Sequence, residues 1–319
     1  MIIGGVKFKN VFIASGGMNF FCDGWPYDPY FKNFLPGYSL EGTTKITKTS
    51  TLPPRAGFMP LKNNLQPVEL RPKCIYFSLW SFLKCFMLNA VGLSGPGFEN
   101  LLERNVWQNM ENPFVISVMA VGNTLEERIA EIKGIVKLLE KALPRFKAKI
   151  AAELNISCPN TGHDTRKLSR EAITLLKLLE PLGIPVIVKF NLLTPISAAI
   201  DIAESGYCHA IDIPNTYPFN DLPDEFKKEL FKNGISPLAK YGGGGYSGSW
   251  QTPRVADWIC GARESGIKLP ILAGSIYKKE DVRLMKISGA DAIVIGASKL
   301  LRGWRLKGII NEAKKEFGG

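Results

Sequence analysis

Eight short runs of apolar, largely β-branched residues recur along the chain, separated by segments in which apolar residues follow helical spacing. Strands that are covered by helices on both faces read as continuous apolar runs rather than alternating ones. Eight repeats of strand and helix make a closed, parallel (β/α)8 TIM barrel of the α/β class the most economical fold. The predicted strands cover residues 11–14, 44–47, 114–119, 150–156, 186–190, 210–213, 271–273 and 292–295.

The helical pattern is clearest after the third run. Thr124 followed by Glu127 forms a capping box, in which each side chain accepts a hydrogen bond from the other residue's backbone N–H at a helix start. Apolar residues then recur at helical spacing over residues 125–143, which predicts a helix with one apolar face. We predict further helices over residues 168–179, 196–204, 255–265, 281–288 and 301–317.

One insertion does not fit this alternation. Residues 74–88 (CIYFSLWSFLKCFML) are apolar except at Ser78, Ser81 and Lys84. Polar residues spaced by three predict a helix with one narrow polar stripe. Two interpretations stay open: the helix packs on the barrel mouth or at a subunit contact, or it docks on a membrane surface or a partner.

The length and composition indicate one globular unit. The chain has 319 residues, of which 45% are hydrophobic and 22% are charged, and this excludes a disordered or fibrous protein. About 250 residues are typical of one barrel, and no linker rich in Pro, Gly or Ser divides the sequence. We therefore expect residues 1–319 to form a single domain.

Charge and cysteine content limit which ligands and which cellular compartment we expect. The net charge of +11 is dispersed along the chain, which is typical of a solvated surface rather than of nucleic-acid binding. Six cysteines without a C-x-x-C pair and only two histidines indicate no metal site and reduced thiols in a cytoplasmic protein. No secretory signal or long apolar span is visible, so we expect no stable membrane insertion.

The most informative motif follows the fourth run. Asn155, Cys158 and Asn160 lie in NISCPN, and barrel chemistry sits where strands end. Asparagine offers donors and an acceptor to a planar substrate with amide and carboxylate edges. A lone cysteine is usually a small buried hydrophobe, but a thiol at a strand end beside cations has the surroundings of a general base.

Two other strand ends suggest an anionic cofactor. Lys189 ends the fifth run, where it either reaches solvent or places a cation beside a bound cofactor that gains negative charge in the reaction. The last two runs end in Gly274-Ser275 and Gly296-Ala297, positions where barrels commonly bind a phosphate. The glycine-rich loop 242–248 either closes over the same phosphate or is simply flexible.

Four motifs together resemble one family. NISCPN, KITKTSTLPPRAG (45–57), LNAVGLSGPG (88–97) and VIVKF, with the glycines of the last two strand ends, are similar in order and spacing to dihydroorotate dehydrogenases over residues 5–301. The resemblance implies FMN as cofactor and oxidation of (S)-dihydroorotate to orotate in de novo pyrimidine (UMP) biosynthesis. It also implies that Cys158 takes a proton while the flavin N5 takes a hydride.

The resemblance assigns individual residues, with Cys158 and Lys189 as the catalytic pair and no metal ligand. The implied substrate-binding residues are Lys48, Asn89, Val91, Gly92, Leu93, Asn155, Asn160, Asn215 and Thr216. The implied FMN-binding residues are Ala14, Ser15, Gly16, Lys48, Asn155, Lys189, Gly244, Gly245, Gly274, Ser275, Gly296 and Ala297.

A cysteine base resembles the class 1 enzymes, because class 2 enzymes carry serine there. The loop after Asn160 lacks the glycine-rich segment of the NAD-linked subclass, which favours the homodimeric, fumarate-using class 1A. Two departures stand out: Ser275 replaces a usual glycine, so that its hydroxyl joins the phosphate site, and Leu93-Ser94-Gly95 lacks the asparagine that the family has after the Leu-x position, near the substrate carboxylate.

Three other functions stay open from the sequence. A dihydropyrimidine dehydrogenase-like reductase normally has a histidine after Cys-Pro and iron–sulfur cysteines, and neither is present. A tRNA dihydrouridine synthase would suit the positive charge, but it carries an RNA-binding domain after the barrel. The third alternative is an FMN-binding chain that has lost catalysis or serves an electron-transfer partner.

Overall fold

The computed structural model describes residues 1–156 and 165–318, with the side chains of residues 165–170 left aside. The strands, in chain order, are short and mostly buried. They are β1 (Ile2–Ile3), β2 (Val6–Lys7), β3 (Val11–Ile13), β4 (Thr44–Lys45), β5 (Ile75–Tyr76), β6 (Phe86–Asn89), β7 (Phe114–Val118), β8 (Ile150–Asn155), β9 (Val186–Lys189), β10 (Ala210–Ile213), β11 (Tyr217–Pro218), β12 (Gly245–Gly248), β13 (Ile271–Ala273) and β14 (Ala292–Ile295).

All eight predicted runs contribute to one parallel sheet. Its eight strands are ordered β4-β3-β14-β13-β10-β9-β8-β7. The two ends of this sheet meet, because Ile46 forms a parallel bridge with Val115 and the Thr47 N–H donates to the Val115 carbonyl at 2.9 Å. The predicted (β/α)8 barrel is therefore confirmed.

The helices surround this barrel. They are α1 (Asp28–Phe34), α2 (Leu79–Lys84), α3 (Phe98–Glu103), α4 (Leu125–Ala142), α5 (Thr165–Leu179), α6 (Ile196–Glu204), α7 (Asp224–Leu230), α8 (Gln251–Glu264), α9 (Lys279–Ile287), α10 (Ser298–Leu301) and α11 (Leu306–Phe317). The capping box of Thr124 and Glu127 begins α4 as predicted. The single helix predicted over 301–317 is wrong at its start, because Arg302 leaves helical geometry between α10 and α11.

The single helix predicted over residues 74–88 is also wrong. The segment folds as β5, the six-residue α2 and β6. Ser78 caps α2 by accepting a hydrogen bond from the Ser81 N–H, and Ser81 returns the contact to the Ser78 N–H. The spacing of three that suggested a polar stripe is therefore a capping box. On its outer face Leu79 and Leu83 are 76% and 65% exposed.

A second, small antiparallel sheet is separate from the parallel sheet of the barrel. It is ordered β11-β12-β6-β5, and its apolar side chains, among them Phe86, Leu88 and Tyr246, form a separate core cluster. Two of its strands, β5 and β6, belong to the insertion, and β6 pairs with β12, which is more than 150 residues further along the chain. The insertion thus completes a sheet that carries Asn89 towards the barrel.

The barrel interior is apolar at its amino-terminal end. Phe12, Val115, Ile187 and Leu272 fill it, and the hairpin of β1 and β2 packs Ile3 against the same cluster. A larger shell of apolar side chains lies between strands and helices. The opposite end, where the strands finish, is left for polar groups. Among the described residues, no helix is long and apolar enough to cross a bilayer.

Candidate active site

One large cavity opens at the carboxyl ends of the barrel strands. Its volume is about 630 Å³, within the range of small-molecule and cofactor sites. It gathers residues from strand ends that are far apart in sequence. The predicted site residues that line it are Ala14, Ser15, Gly16, Lys48, Asn89, Val91, Gly92, Leu93, Asn155, Lys189, Asn215, Thr216, Gly274, Ser275, Gly296 and Ala297.

A row of amides and hydroxyls forms one wall. Asn215 Nδ2 donates to Asn155 Oδ1 at 3.0 Å, and Asn155 Nδ2 donates to Thr49 Oγ1 at 3.3 Å. These bonds fix the orientation of both amides, because the donor and the acceptor of an amide are different atoms. The Thr216 hydroxyl is buried and, within the described part of the chain, has no hydrogen-bond partner. This wall therefore presents oriented polar groups to whatever enters the cavity.

Lys189 lies on two buried carboxyl groups. Its Nζ donates to Asp212 Oδ2 at 2.6 Å and lies 3.7 Å from Glu153 Oε2. Glu153 is fully buried, and its Oε1 accepts a bond from Ser117 Oγ at 2.7 Å. Burial raises the pKa of the Glu153 carboxyl to about 7, against the opposing attraction of Lys189 and with a further rise from Asp212. The cation is thus held at the cavity floor by a fixed polar layer.

Lys48 approaches from the second strand end. Its Nζ donates to the Ser94 carbonyl at 2.6 Å and lies 4.6 Å from the centre of the Phe20 ring. Ser94 in turn uses its hydroxyl within its own loop, accepting from the Met59 N–H and donating to the Val91 carbonyl, both at 3.0 Å. Ser94 therefore shapes the loop that holds Lys48.

The glycines on the wall have different reasons to be glycine. A Cβ at Gly16 would meet no atom within 4 Å, and one at Gly296 would only touch Ala14 at 3.6 Å, so both keep space free. A Cβ at Gly274 would lie 2.9 Å from Pro214 Cδ, so Gly274 is needed for packing. Ser275 has φ of 61°, a left-handed conformation that favours glycine.

Three predicted FMN-binding residues, Ser275, Gly244 and Gly245, make contacts that differ from the predicted role. The Ser275 hydroxyl donates to the Gly248 carbonyl at 3.2 Å, so it braces the loop rather than pointing freely at a phosphate. Gly244 and Gly245 do not line the cavity. Gly245 pairs with Asn89 in the small sheet, and a Cβ at Gly244 would lie 2.8 Å from the Asn89 carbonyl. These two glycines permit the close approach of strands that positions Asn89.

Two predicted residues, Cys158 and Asn160, lie outside the described residues, so their roles stay predictions. Others were missed. Gln251 lines the cavity and donates to the Asn215 carbonyl at 3.2 Å. Glu153 and Asp212 sit inside runs that were interpreted only as apolar strands. An acid in the middle of each run, IAAELN and AIDI, was the available signal, because an unpaired charge is not buried in a strand interior.

The residues present fit an FMN group. The cavity has open space at Gly16, buried cations at Lys48 and Lys189, and an orphaned hydroxyl at Thr216. Within the described ranges, no cluster of three His, Cys, Asp or Glu side chains suited to a metal ion is found. Fold and site together define a cofactor-binding (β/α)8 barrel with an amide-lined mouth.

Comparisons with known proteins give the family. The family model described as "Dihydroorotate dehydrogenase" matches residues 2–316. The "Dihydroorotate dehydrogenase B (NAD(+)), catalytic subunit" of Endomicrobium trichonymphae is 29% identical over 316 residues, covering 96% of this chain and 88% of that protein. The "Dihydroorotate dehydrogenase A (fumarate)" of Lactiplantibacillus plantarum is 26% identical over 306 residues, with 93% and 86% covered. The chain belongs to the dihydroorotate dehydrogenase family.

A solved structure supports the fold. Ligand-free dihydroorotate dehydrogenase from Eimeria tenella superposes with a TM-score of 0.67 at 17% sequence identity, covering 100% of this chain and 90% of that one. The relatives named B and A are both of the class 1 type that the resemblance implied. The predicted family and class are confirmed.

Proposed function

We propose that this chain oxidises dihydroorotate to orotate in pyrimidine biosynthesis, with FMN as its bound oxidant. The observation that carries the proposal is the convergence of Asn89, Asn155, Asn215 and Thr216 on one cavity that also holds two buried lysines. A flat ring with amide edges and a carboxylate matches this set of donors, acceptors and cations. Family membership over residues 2–316 supports the same activity.

The described residues have separate tasks in this proposal. Asn155 and Asn215, locked to each other, orient the substrate ring, because a fixed orientation supplies much of the rate in such a reaction. Lys48 and the loop 91–93 hold the substrate carboxylate. Lys189 would place a positive charge beside the flavin. The flavin, when bound, would act as the hydride acceptor. Ala14, Gly16 and Gly296 leave room for that group.

Cys158 remains the proposed base. The expected result for Cys158→Ala is a loss of dihydroorotate oxidation at neutral pH of at least about a hundredfold, the contribution typical of a general base. FMN absorbance of the purified variant is the control for its fold. Activity within a few-fold of the parent would remove Cys158 from this role.

Substrate choice provides the test of the whole proposal. Purified protein is assayed with dihydroorotate and, as the matched control, with dihydrouracil, which lacks the carboxylate. We expect turnover of dihydroorotate and at least about a hundredfold lower kcat/KM for dihydrouracil, because its binding leaves the carboxylate-binding groups unpaired. Preference for dihydrouracil would indicate a different pyrimidine reductase.

For the second half-reaction we propose fumarate as acceptor and a cytoplasmic homodimer of this single chain. The sequence after Asn160 supports this subclass, whereas the NAD-type relative is the more similar of the two compared, at 29% against 26% identity. Reoxidation of the purified chain by fumarate but not by NAD, together with a dimer mass in sedimentation, is the expected result. Reoxidation that needs NAD and an added subunit would contradict it.

A further inference from the structure

We propose that Glu153 and Asp212 share one proton beneath Lys189, and that this proton sets how readily the bound flavin is reduced. Glu153 is a positioning residue in this proposal, since it acts through Lys189 and does not line the cavity. The inference rests on the proposed function in one respect only, namely that FMN occupies the cavity above Lys189.

The strands bring the three groups to one level of the barrel. Asp212 on β10 is the register partner of Lys189 on β9. Glu153 on β8 is paired with Ile187, two residues before Lys189, and side chains two apart on a strand share a face. Ser117 on β7 is the register partner of Glu153. These are therefore adjacent interior positions on four neighbouring strands.

The hydrogen bonds leave one oxygen of each acid unsatisfied. Glu153 Oε1 accepts from Ser117 and Asp212 Oδ2 accepts from Lys189. Glu153 Oε2 and Asp212 Oδ1 are both buried without a hydrogen-bond partner in the described part of the chain. Two ionised carboxylates cannot bond each other, but one proton between them gives one acid a donor and the other an acceptor.

Charge balance favours the same state. With both acids ionised, the buried group of Glu153, Asp212 and Lys189 carries one net negative charge, and with one shared proton it carries none. An uncompensated buried charge is costly. Among the described residues, Lys189 and Asp212 are the charged groups that act on Glu153, and their effects oppose each other. Burial adds to the preference for a proton by raising the Glu153 pKa to about 7.

The consequence reaches the cavity through Lys189. Two-electron reduction adds negative charge to the flavin, and a nearby ionised acid pair disfavours that charge while a protonated pair does not. The flavin is therefore easier to reduce when the acid pair holds its proton. Raising the pH removes the proton and lowers the flavin's reduction potential beyond the change that the flavin shows by itself.

The experiment compares wild type with Glu153→Gln. The glutamine amide can donate to Asp212 and accept from Ser117, so the variant is fixed in the uncharged state at every pH. The ratio of reduced to oxidised FMN is measured against a redox dye from pH 6 to pH 9. We expect the two proteins to agree within about threefold at pH 6. At pH 9 the variant should favour reduced flavin about tenfold more, or about 30 mV for a two-electron couple.

Plots of the flavin reduction potential against pH that stay parallel for the two proteins from pH 6 to pH 9 would overturn the proposal. So would a flavin that is harder to reduce in the variant at pH 9. Ser117→Ala is the second variant. It removes the hydrogen bond that lowers the Glu153 pKa. The pH at which the slope of the flavin potential against pH changes should therefore be higher than in wild type, and the change of slope should persist. A change of slope that occurs at the same pH as in wild type, or at a lower pH, contradicts the assignment to Glu153.

A measurement without flavin separates the two proposals. In infrared spectra of the apoprotein at pH 6, we expect a protonated-carboxyl band that is missing in Glu153→Gln and that wild type loses at alkaline pH. Failure to find that band overturns the shared proton. A wild-type protein that shows the band but is not bleached by dihydroorotate would instead contradict the proposed function.

Discussion

At the residue scale, the glycines of the cavity wall are not equivalent. Gly274 faces the ring of Pro214 at a distance where an added Cβ cannot fit, whereas Gly296 faces only open space and Ala14. The first glycine is explained by packing of the protein itself. The second leaves space in the cavity that a bound group can occupy.

This difference gives a prediction for two alanine variants. Gly274→Ala should lower the free energy of unfolding of the apoprotein by about 1–3 kcal/mol, the usual cost of overpacking. Gly296→Ala should leave the apoprotein stability within about 0.5 kcal/mol but weaken FMN binding at least about tenfold. Denaturant unfolding and flavin titration measure the two quantities. Equal loss of stability in both variants would contradict the packing argument.

Glu153 gives a pH-dependent prediction at the same scale. Its folded pKa of about 7 lies above its ordinary 4.5, so the folded apoprotein binds more protons than the unfolded chain between these values. The contribution of Glu153 to the free energy of unfolding should therefore fall as the pH rises from 4.5 to 7. In Glu153→Gln this contribution is missing, so the variant should melt progressively higher than wild type over that window. A difference in melting temperature between the two proteins that stays constant over this window would argue against a raised pKa of Glu153.

The sequence predicted the residues at strand ends better than those inside strands. Asn155, Lys189 and Asn215 were found because a polar residue directly after an apolar run has few structural reasons to be there. Glu153 and Asp212 were overlooked because the runs were judged by overall apolarity.

At the element scale, local signals worked where the interactions are local. The capping box of Thr124 and Glu127 acts over three residues, and it begins α4 at the expected place. The segment 74–88 was misjudged because β6 pairs with β12, a partner more than 150 residues away. A short stretch of sequence does not include that partner, so its polar spacing by itself predicts a helix.

The capping box is itself testable. Thr124 Oγ1 accepts a bond from the Glu127 N–H at 3.2 Å, and its removal leaves that donor without its cap. Thr124→Ala should reduce the free energy of unfolding by about 1 kcal/mol, and Thr124→Ser should retain most of it. Chemical denaturation provides the measurement. If serine and alanine were equally destabilising, the side-chain bond would not be the cause.

At the scale of the whole molecule, stability and function occupy opposite ends of the barrel. The amino-terminal end is closed by the β1–β2 hairpin, with Phe8 packed against Phe12 at a ring separation of 6.0 Å. The carboxyl end carries the cavity and its polar lining. This division is general for (β/α)8 barrels, and it explains why the chemistry could be located at the residues that follow the predicted strands.

The separation predicts that damage at one end spares the other. Phe8→Ala should cost about 3–5 kcal/mol of stability, as expected for a buried phenylalanine, while the absorbance spectrum and affinity of bound FMN stay unchanged at low temperature. Phe8→Leu is the milder control. A changed flavin spectrum in Phe8→Ala would show that the two ends are coupled.

FMN held in the cavity would accept a hydride from dihydroorotate. Anaerobic titration of the yellow protein with dihydroorotate, with no other acceptor present, tests this most directly. We expect bleaching of the flavin absorbance with one orotate formed for each flavin reduced. A colourless protein, or a flavin that keeps its colour at saturating dihydroorotate, would contradict it.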